Sequence, residues 1–598
     1  MAITKRTLTE QVEDLTARVQ RLELQLEEMT NDPASLRRNS ALARAKRAEE
    51  EDAAGVEEDV SEEMLSWVGQ SSFLPGLATL CFLLVVALML RTLTDSEMVS
   101  NALGSGLGMV YSAALMVYGW YKYGKKSPLA PIFCAVGAIL MGAIVVETHA
   151  KFASISLVPA YLTLMATGIG MAYISRQFST FIPISVGILS MCFAGAAIDY
   201  PHPYFPYLSM VLFTSNLLGY FAAQLKRCSW LRWSVLIVTM IMLQLWGFRI
   251  GSVLRRGETM PTELAAGAFL PIIFVFAASF LVFALLGMIR RGEEKFSRFD
   301  LSLPTLTVLW SFSAALYVLS AQGKTPHLLG YIGISTAVGL LTAAFWLARR
   351  GLPGAPGANA FAFAACTLLA LILPSALGSY TFSLPIVAAV ALFMAIKSRE
   401  WGSGAIRATT YLFHLYCGIG IAFALFGDTP AATSAANILP AGLLAGIILF
   451  QHHWCRQWPP GETSKFFTKF DKKDRTASFL LLAGLVSGFF MIRVLLFQFI
   501  VAIYGSIPRD AFRCSQSVII NLSAIAIILL AYKWKDKEFR NIAILITIVG
   551  GAKVFLFDLL GAHGLPLVFS VFSFGVAAAV ESIALGRWMR GTEPPAEE

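Results

Sequence analysis

The chain has 598 residues, of which 56% are hydrophobic and only 14% charged, and its mean hydropathy is +0.66. A soluble domain carries roughly a quarter charged residues, so an ordinary soluble enzyme is excluded and most of the chain is expected in hydrocarbon, where ionisable side chains are costly. The net charge is +9, yet residues 1–66 are acidic overall, so the basic excess lies in the apolar remainder. There it reads as loop charge of a membrane protein, and no nucleic-acid partner is expected.

At the N-terminus, Leu8, Val12, Leu15, Val19, Leu22, Leu26 and Met29 alternate spacings of four and three, the seam of a coiled coil. Leu8, Leu15, Leu22 and Met29 take the d positions, with Val12, Val19 and Leu26 at a, a pattern that favours a parallel two-stranded coil. Segment 1–32 is therefore expected to be a cytoplasmic coiled-coil helix that forms a homodimer through residues 8–29. A helix lying on its own protein or on lipid is the alternative. Residues 33–66 read as a charged linker, acidic from Glu49 to Glu63. This polar start does not have the form of a cleavable signal, so the first apolar span is expected to stay in the membrane.

Residues 67–590 read as a multi-span transmembrane domain, followed by a short cytoplasmic tail at 591–598. A bilayer core needs roughly 20 apolar residues per helix. The spans expected are 72–91, 100–121, 129–147, 155–175, 180–198, 204–224, 233–250, 263–289, 301–321, 327–348, 358–378, 383–397, 404–427, 434–452, 478–501, 514–533, 540–560 and 566–586. The fold class is thus all-α, a polytopic transmembrane bundle of about eighteen spans, with seventeen to nineteen as the range. Lys and Arg concentrate in alternate loops, which places the N-terminus and the C-terminus in the cytoplasm of a multi-pass inner-membrane protein. Two external loops break the pattern: 249–263, with Arg249, Arg255 and Arg256, and 505–513, with Arg509, Asp510 and Arg513.

The eight cysteines are scattered and form no CxxC pair, so neither a disulfide framework nor a metal site is expected. No phosphate-binding loop, GxSxG or HExxH motif is present, and no cofactor is expected. Charges inside spans carry the functional expectation. Lys553 lies well inside its span, where a central charge costs roughly 2.5–3.5 kcal/mol on insertion scales. Asp558 follows five residues later, about 140° around an α-helix, so the two are not expected to pair directly. With Arg493 in the span 478–501, and Arg509 and Arg513 in the loop that follows it, these residues are expected to form a substrate site for a phosphate or carboxylate headgroup if the last four spans pack together. Glu581 and His414 are further polar outliers within spans. In the first half, Asp95, Glu97, Glu147 and His149 fall in external loops. They are the catalytic candidates of an alternative reading, in which carboxylates and a histidine act as an acid/base pair.

Trp67 and Gly69 before the first span, the Gly104/Gly106/Gly108 stripe, and the closing run Lys553-Val554-Phe555-Leu556-Phe557-Asp558 with Gly564-Leu565, Ser570 and Gly575 resemble a bacterial family. That family of large polytopic membrane proteins is known as domain of unknown function 2339. Its members typically have an N-terminal coiled coil and very many spans. The resemblance covers both ends, and the middle only in character. The family tends to carry an Arg shortly after the Gly-Leu pair, where this chain has Leu567. The resemblance implies a fold and no chemistry.

The leading expectation is a protein that binds or translocates a lipid or lipid-linked anionic substrate in envelope biogenesis, with membrane lipids as partners. The alternatives are a membrane-embedded glycosyl- or acyl-transferase using a lipid-linked donor, and a scaffold that recruits partners through its coiled coil. Enzymatic activity is not the leading expectation.

Overall fold

The computed structural model describes residues 73–590, apart from 97, 199, 201–203, 223–228, 291–296, 324–326, 351–354, 428, 461–466, 468–470, 472–473 and 506–508. The heptad seam from Leu8 to Met29, the charged linker, the tail and Glu97 lie outside the described residues.

A peptide group in hydrocarbon has no solvent partner, so a spanning segment must close its own hydrogen bonds. The described residues form eighteen long helical segments. They are α1 (Phe73–Asp95), α2 (Asn101–Gly124), α3 (Ala130–Ala150), α4 (Leu157–Phe178), α5 (Ile182–Ala197) and α6 (Phe205–Ala222). There follow α7 (Ser229–Arg256), α8 (Ala266–Arg290), α9 (Arg298–Ala321), α10 (His327–Ala348), α11 (Pro356–Leu377) and α12 (Tyr380–Glu400). The last six are α13 (Gly404–Leu425), α14 (Ile438–Gln457), α15 (Ala477–Tyr504), α16 (Arg509–Trp534), α17 (Lys537–Gly561) and α18 (Leu565–Arg590). Fifteen helices are long and apolar enough to cross a membrane, and α1 and α5 contain shorter apolar stretches. The chain is a multi-pass membrane protein by this measure, and each expected span coincides with one helix.

Three boundaries differ from expectation. The span expected at 383–397 is a full helix from Tyr380 to Glu400. Helix α7 runs on to Arg256, so Arg249, Arg255 and Arg256 are helical and not in a loop. Two of them find aromatic faces, Arg255 over Tyr317 and Arg249 over Phe205, while Arg256 is exposed beside Glu258. Likewise α16 begins at Arg509, which puts Arg513 one turn into a helix.

The helices fall in two compact units. In the first, α2 packs along α3. Gly104 of α2 is needed against α1, where a Cβ would run into the Thr94 side chain, whereas Gly106 of the same stripe faces open space.

The second unit holds the chain from Gly195 to Tyr220 and from Ser229 onward. Several of its buried charged groups are paired inside the bundle. Arg232 on α7 donates to Asp300 on α9 at 2.5 Å, and its guanidinium stacks on Phe299. At one end of α13–α15, Arg407 donates to Asp474 (2.8 Å) and to the Trp458 carbonyl (2.6 Å), and the Tyr411 hydroxyl donates to the same carboxylate. Arg456 pairs with Glu538 at the start of α17, which also receives Ser478. The connection from α14 to α15 is thereby tied to α13, and the start of α17 to α14 and α15.

Asp471 starts this turn by accepting the backbone N–H groups of Arg475 and Thr476 and the Thr476 hydroxyl. Partial burial pushes its carboxyl up, but these donated bonds outweigh burial and hold it below the usual carboxylate value. A depressed folded value contributes stability that is present above the ordinary value near 3.8 and is lost as pH falls through the folded one. Thermal unfolding in detergent is expected to show this acid loss, and Asp471→Asn to reduce it; an unaltered acid limb would assign the loss to other carboxylates. The buried pair gives a second expectation. Arg232→Met leaves Asp300 uncompensated and is expected to cost about 3–5 kcal/mol, read as a lowered melting temperature.

Candidate functional site

The expected charges of the last spans meet in the second unit, where α16 packs along both α17 and α18. Contrary to expectation, Lys553 Nζ pairs directly with Asp558 Oδ1 at 3.1 Å. The cause is local. Residues Val554–Asp558 form a π-turn, in which backbone bonds run from i to i+5 and the turn is wider than in an α-helix, so positions i and i+5 come closer to one face. The expected separation assumed an unbroken α-helix.

Asp558 is fully buried and collects donors from three helices. Ser517 on α16 donates to Oδ2 at 2.5 Å, Ser570 on α18 donates to the same oxygen at 2.7 Å, and Lys553 on α17 donates to Oδ1. Lys553 also donates to the Ser517 hydroxyl (2.6 Å) and to the Arg513 carbonyl (2.9 Å). Arg513 stands 3.9 Å from Asp558 and donates to the Gly561 carbonyl at the end of α17. Lys553 and Arg513 against Asp558 leave one net positive charge, and Arg513, the more exposed cation, carries it toward the surface. Arg509 is exposed at the start of α16, and Asp510 accepts the His563 backbone N–H.

Arg493 has a different place. Its guanidinium donates to the Leu425 and Gly427 carbonyls at 2.7 and 2.6 Å and lies over Phe512. It closes the C-terminal end of α13, where helix carbonyls lack intrahelical donors. The chain neighbour of its stacking partner is Arg513.

An apolar groove of about 610 Å³ runs along α15, α16 and α18, lined by Leu496, Val518, Leu522, Phe569, Phe572 and Val576. Its lining on α16 extends from Ala511 to Ile525, about 20 Å at 1.5 Å per residue. Ser573 also lines it, and on its other side accepts Asn521 Nδ2 at 2.9 Å. The groove and the buried polar cluster therefore share a wall. Of the serines of that cluster only Ser570 was singled out in the sequence, and only as part of the closing signature, although Ser517/Asn521 and Ser570/Ser573 recur at helical spacing within apolar spans.

In the first unit, Glu147 forms an ion pair with Arg91 at 2.9 Å and lies 3.7 Å from Lys151. His149 Nδ1 bonds the Ile155 carbonyl at 2.8 Å. Asp95 is the last residue of α1. Glu147 and His149 are thus held by local contacts of the α3 end.

No family model, no curated protein and no solved structure matches this chain.

The charge cluster makes a definite energetic expectation. Asp558→Leu leaves the Lys553 ammonium with neutral acceptors and no counter-charge and is expected to cost about 3–5 kcal/mol, whereas Lys553→Met with Asp558→Leu regains most of that loss. Melting of the single and double variants in detergent measures it. A single variant as stable as the parent protein would show that Lys553 is already compensated by solvent.

Proposed function

We propose that this chain is a bacterial inner-membrane protein that binds a lipid or lipid-linked anionic substrate and moves it across the bilayer in building the cell envelope. The observation that carries this reading is the apolar groove along α15, α16 and α18 beside the Lys553–Asp558–Arg513 cluster. A groove of this length on bilayer-exposed helices suits an acyl chain: Leu522, Phe569 and Phe572 are all exposed apolar side chains of its lining. Arg513, with the net positive charge of the cluster, and Arg509 at the start of α16 suit an anionic headgroup at one end. Lys553 has its own carboxylate, so its role in this reading is to hold the neutral part of the site and to position Arg513 through the backbone carbonyl. The reading includes the topology expected from loop charge, both termini in the cytoplasm, and a homodimer through residues 8–29. It also includes membership of the polytopic family that the chain ends resemble. The transferase reading gains less support, because Glu147 and His149 are engaged with Arg91 and the Ile155 carbonyl.

The test is lipid retention. The full chain, purified from membranes containing phosphatidylglycerol and weighed by native mass spectrometry, is expected to carry bound anionic lipid. Arg513→Ala is expected to lower its occupancy about tenfold, as for a lost charge-assisted contact of roughly 1.4 kcal/mol. Leu522→Trp, which fills the groove, is expected to lower retention without changing charge. Unchanged lipid on both variants would remove the reading.

A further inference from the structure

The interface of α16, α17 and α18 holds a line of polar side chains that starts at the Asp558 cluster and runs beyond it to residues the lipid site does not use, Asn521, Thr547 and Glu581. On α18, Ser570, Ser573, Ala577 and Glu581 recur at three- and four-residue intervals and share a face. The helices' contacts set three levels. At the first, Ser517 and Ser570 meet Asp558. At the second, Asn521 bonds Ser573, and Gly550 lies so close that a Cβ would stand 2.3 Å from Asn521 Oδ1. At the third, Ile527, Ile528, Ala531, Ala543 and Ala584 form one apolar cluster. Thr547 is one turn from Ala543 toward Gly550, and Glu581 one turn from Ala584 toward Ser573, so both lie between the second and third levels.

Three buried atoms on this line, Asn521 Oδ1, Thr547 Oγ1 and Glu581 Oε1, have no hydrogen-bond partner among the described residues. Asn521 is fully enclosed, and Glu581 is 7% exposed. Buried polar atoms of this kind are ordinarily satisfied by ordered water. A lone carboxylate in apolar surroundings must also take a proton or a partner. Two carboxyls thus sit on one seam. Ser570, which touches Asp558, and Glu581 are about 16 Å apart along α18, too far for direct transfer and short enough for a few waters.

We propose that the α16–α18 interface is a proton path, in which Asp558 and Glu581 take up and release the proton and water held by Asn521 and Thr547 links them. A hydronium ion gives its proton to Asp558, forming an O–H bond there and leaving water. The Lys553 contact to that carboxyl weakens, but Lys553 keeps the Ser517 hydroxyl and the Arg513 carbonyl as acceptors. The proton then passes along the waters to Glu581, and one leaves for each that enters. The charged and titratable groups around Asp558 are Lys553 on α17 and Arg513, Cys514 and Asp510 on α16, with Arg493 of α15 over Phe512. Toward the other end, Arg540 stacks on Trp588, two turns past Glu581. Intramembrane carboxyls joined by polar side chains are the usual elements of such relays.

The test uses the full chain in phosphatidylethanolamine/phosphatidylglycerol vesicles with a potassium diffusion potential and an internal pH dye. Proton entry is expected to exceed that of protein-free vesicles about tenfold and to fall about as far in Glu581→Gln and Asp558→Asn. Thr547→Val, a near-isosteric change that keeps the carboxyls, is expected to give a partial loss. Glu400→Gln, exposed at the end of α12, is expected to leave flux unchanged. Elution profile and melting temperature check that each variant folds. Vesicles as tight as protein-free ones, flux that follows sodium at constant pH, or parental flux in Thr547→Val and Glu581→Gln would each overturn the proposal. It stands apart from lipid binding: flux without retained lipid removes only that reading, and retained lipid without flux removes only this one.

Discussion

A carboxylate in the wall of a membrane bundle has no water to ionise into, and the arrangement around Asp558 follows from that constraint. Three helices each contribute a donor: Ser517 from α16, Lys553 from α17 and Ser570 from α18. The same requirement shapes the rest of the second unit. Arg232 and Asp300 join α7 to α9, and Arg407 with Asp474 ties the α14–α15 connection to α13. Apolar packing alone gives little direction between helices when lipid tails are as apolar as leucine. Polar contacts of this kind then specify which helix faces which.

The π-turn at Val554–Asp558 is the local device that lets α17 take part. It brings Lys553 and Asp558 closer to one face, and it turns the carboxylate toward Ser517 and Ser570. Because Lys553 is neutralised within its own helix, the cation that remains for an outside ligand is Arg513 at the end of the groove. The division of labour between a satisfied internal pair and a more exposed arginine therefore depends on five residues of irregular helix.

The helices were legible because hydropathy reports the solvent of a segment, and the solvent here is a bilayer. Their ends were less legible. Arg255, Arg256 and Arg513 read as loop residues by charge, yet each continues a helix; the head of Arg255 finds an aromatic ring and that of Arg513 a carbonyl and a carboxylate. Lys553 and Asp558 were legible as important and misread as separate, since a period of 3.6 residues was assumed through a segment that does not keep it. Arg407 and Asp474, far apart in sequence and joined by a 2.8 Å contact, left no sequence signal at all. The serines on α16 and α18 did leave one, a polar residue every three or four positions in otherwise apolar spans.

Stability does not account for a charged cluster at this interface. A buried ion pair is often matched or exceeded by well-packed apolar residues of similar volume. The layer of Ile527, Ile528, Ala531, Ala543 and Ala584 shows that these three helices pack without charge about three to four turns away. An ionisable group offers what an apolar one cannot, a state that changes with an arriving proton or anion. Asp558 and Lys553 are built for such a change, because each retains partners when the other is withdrawn: Ser517 and Ser570 for the carboxyl, Ser517 and the Arg513 carbonyl for the ammonium. An interaction meant only to lock the helices would gain nothing from that second set of partners, whereas a site that cycles between charged and neutral forms requires it.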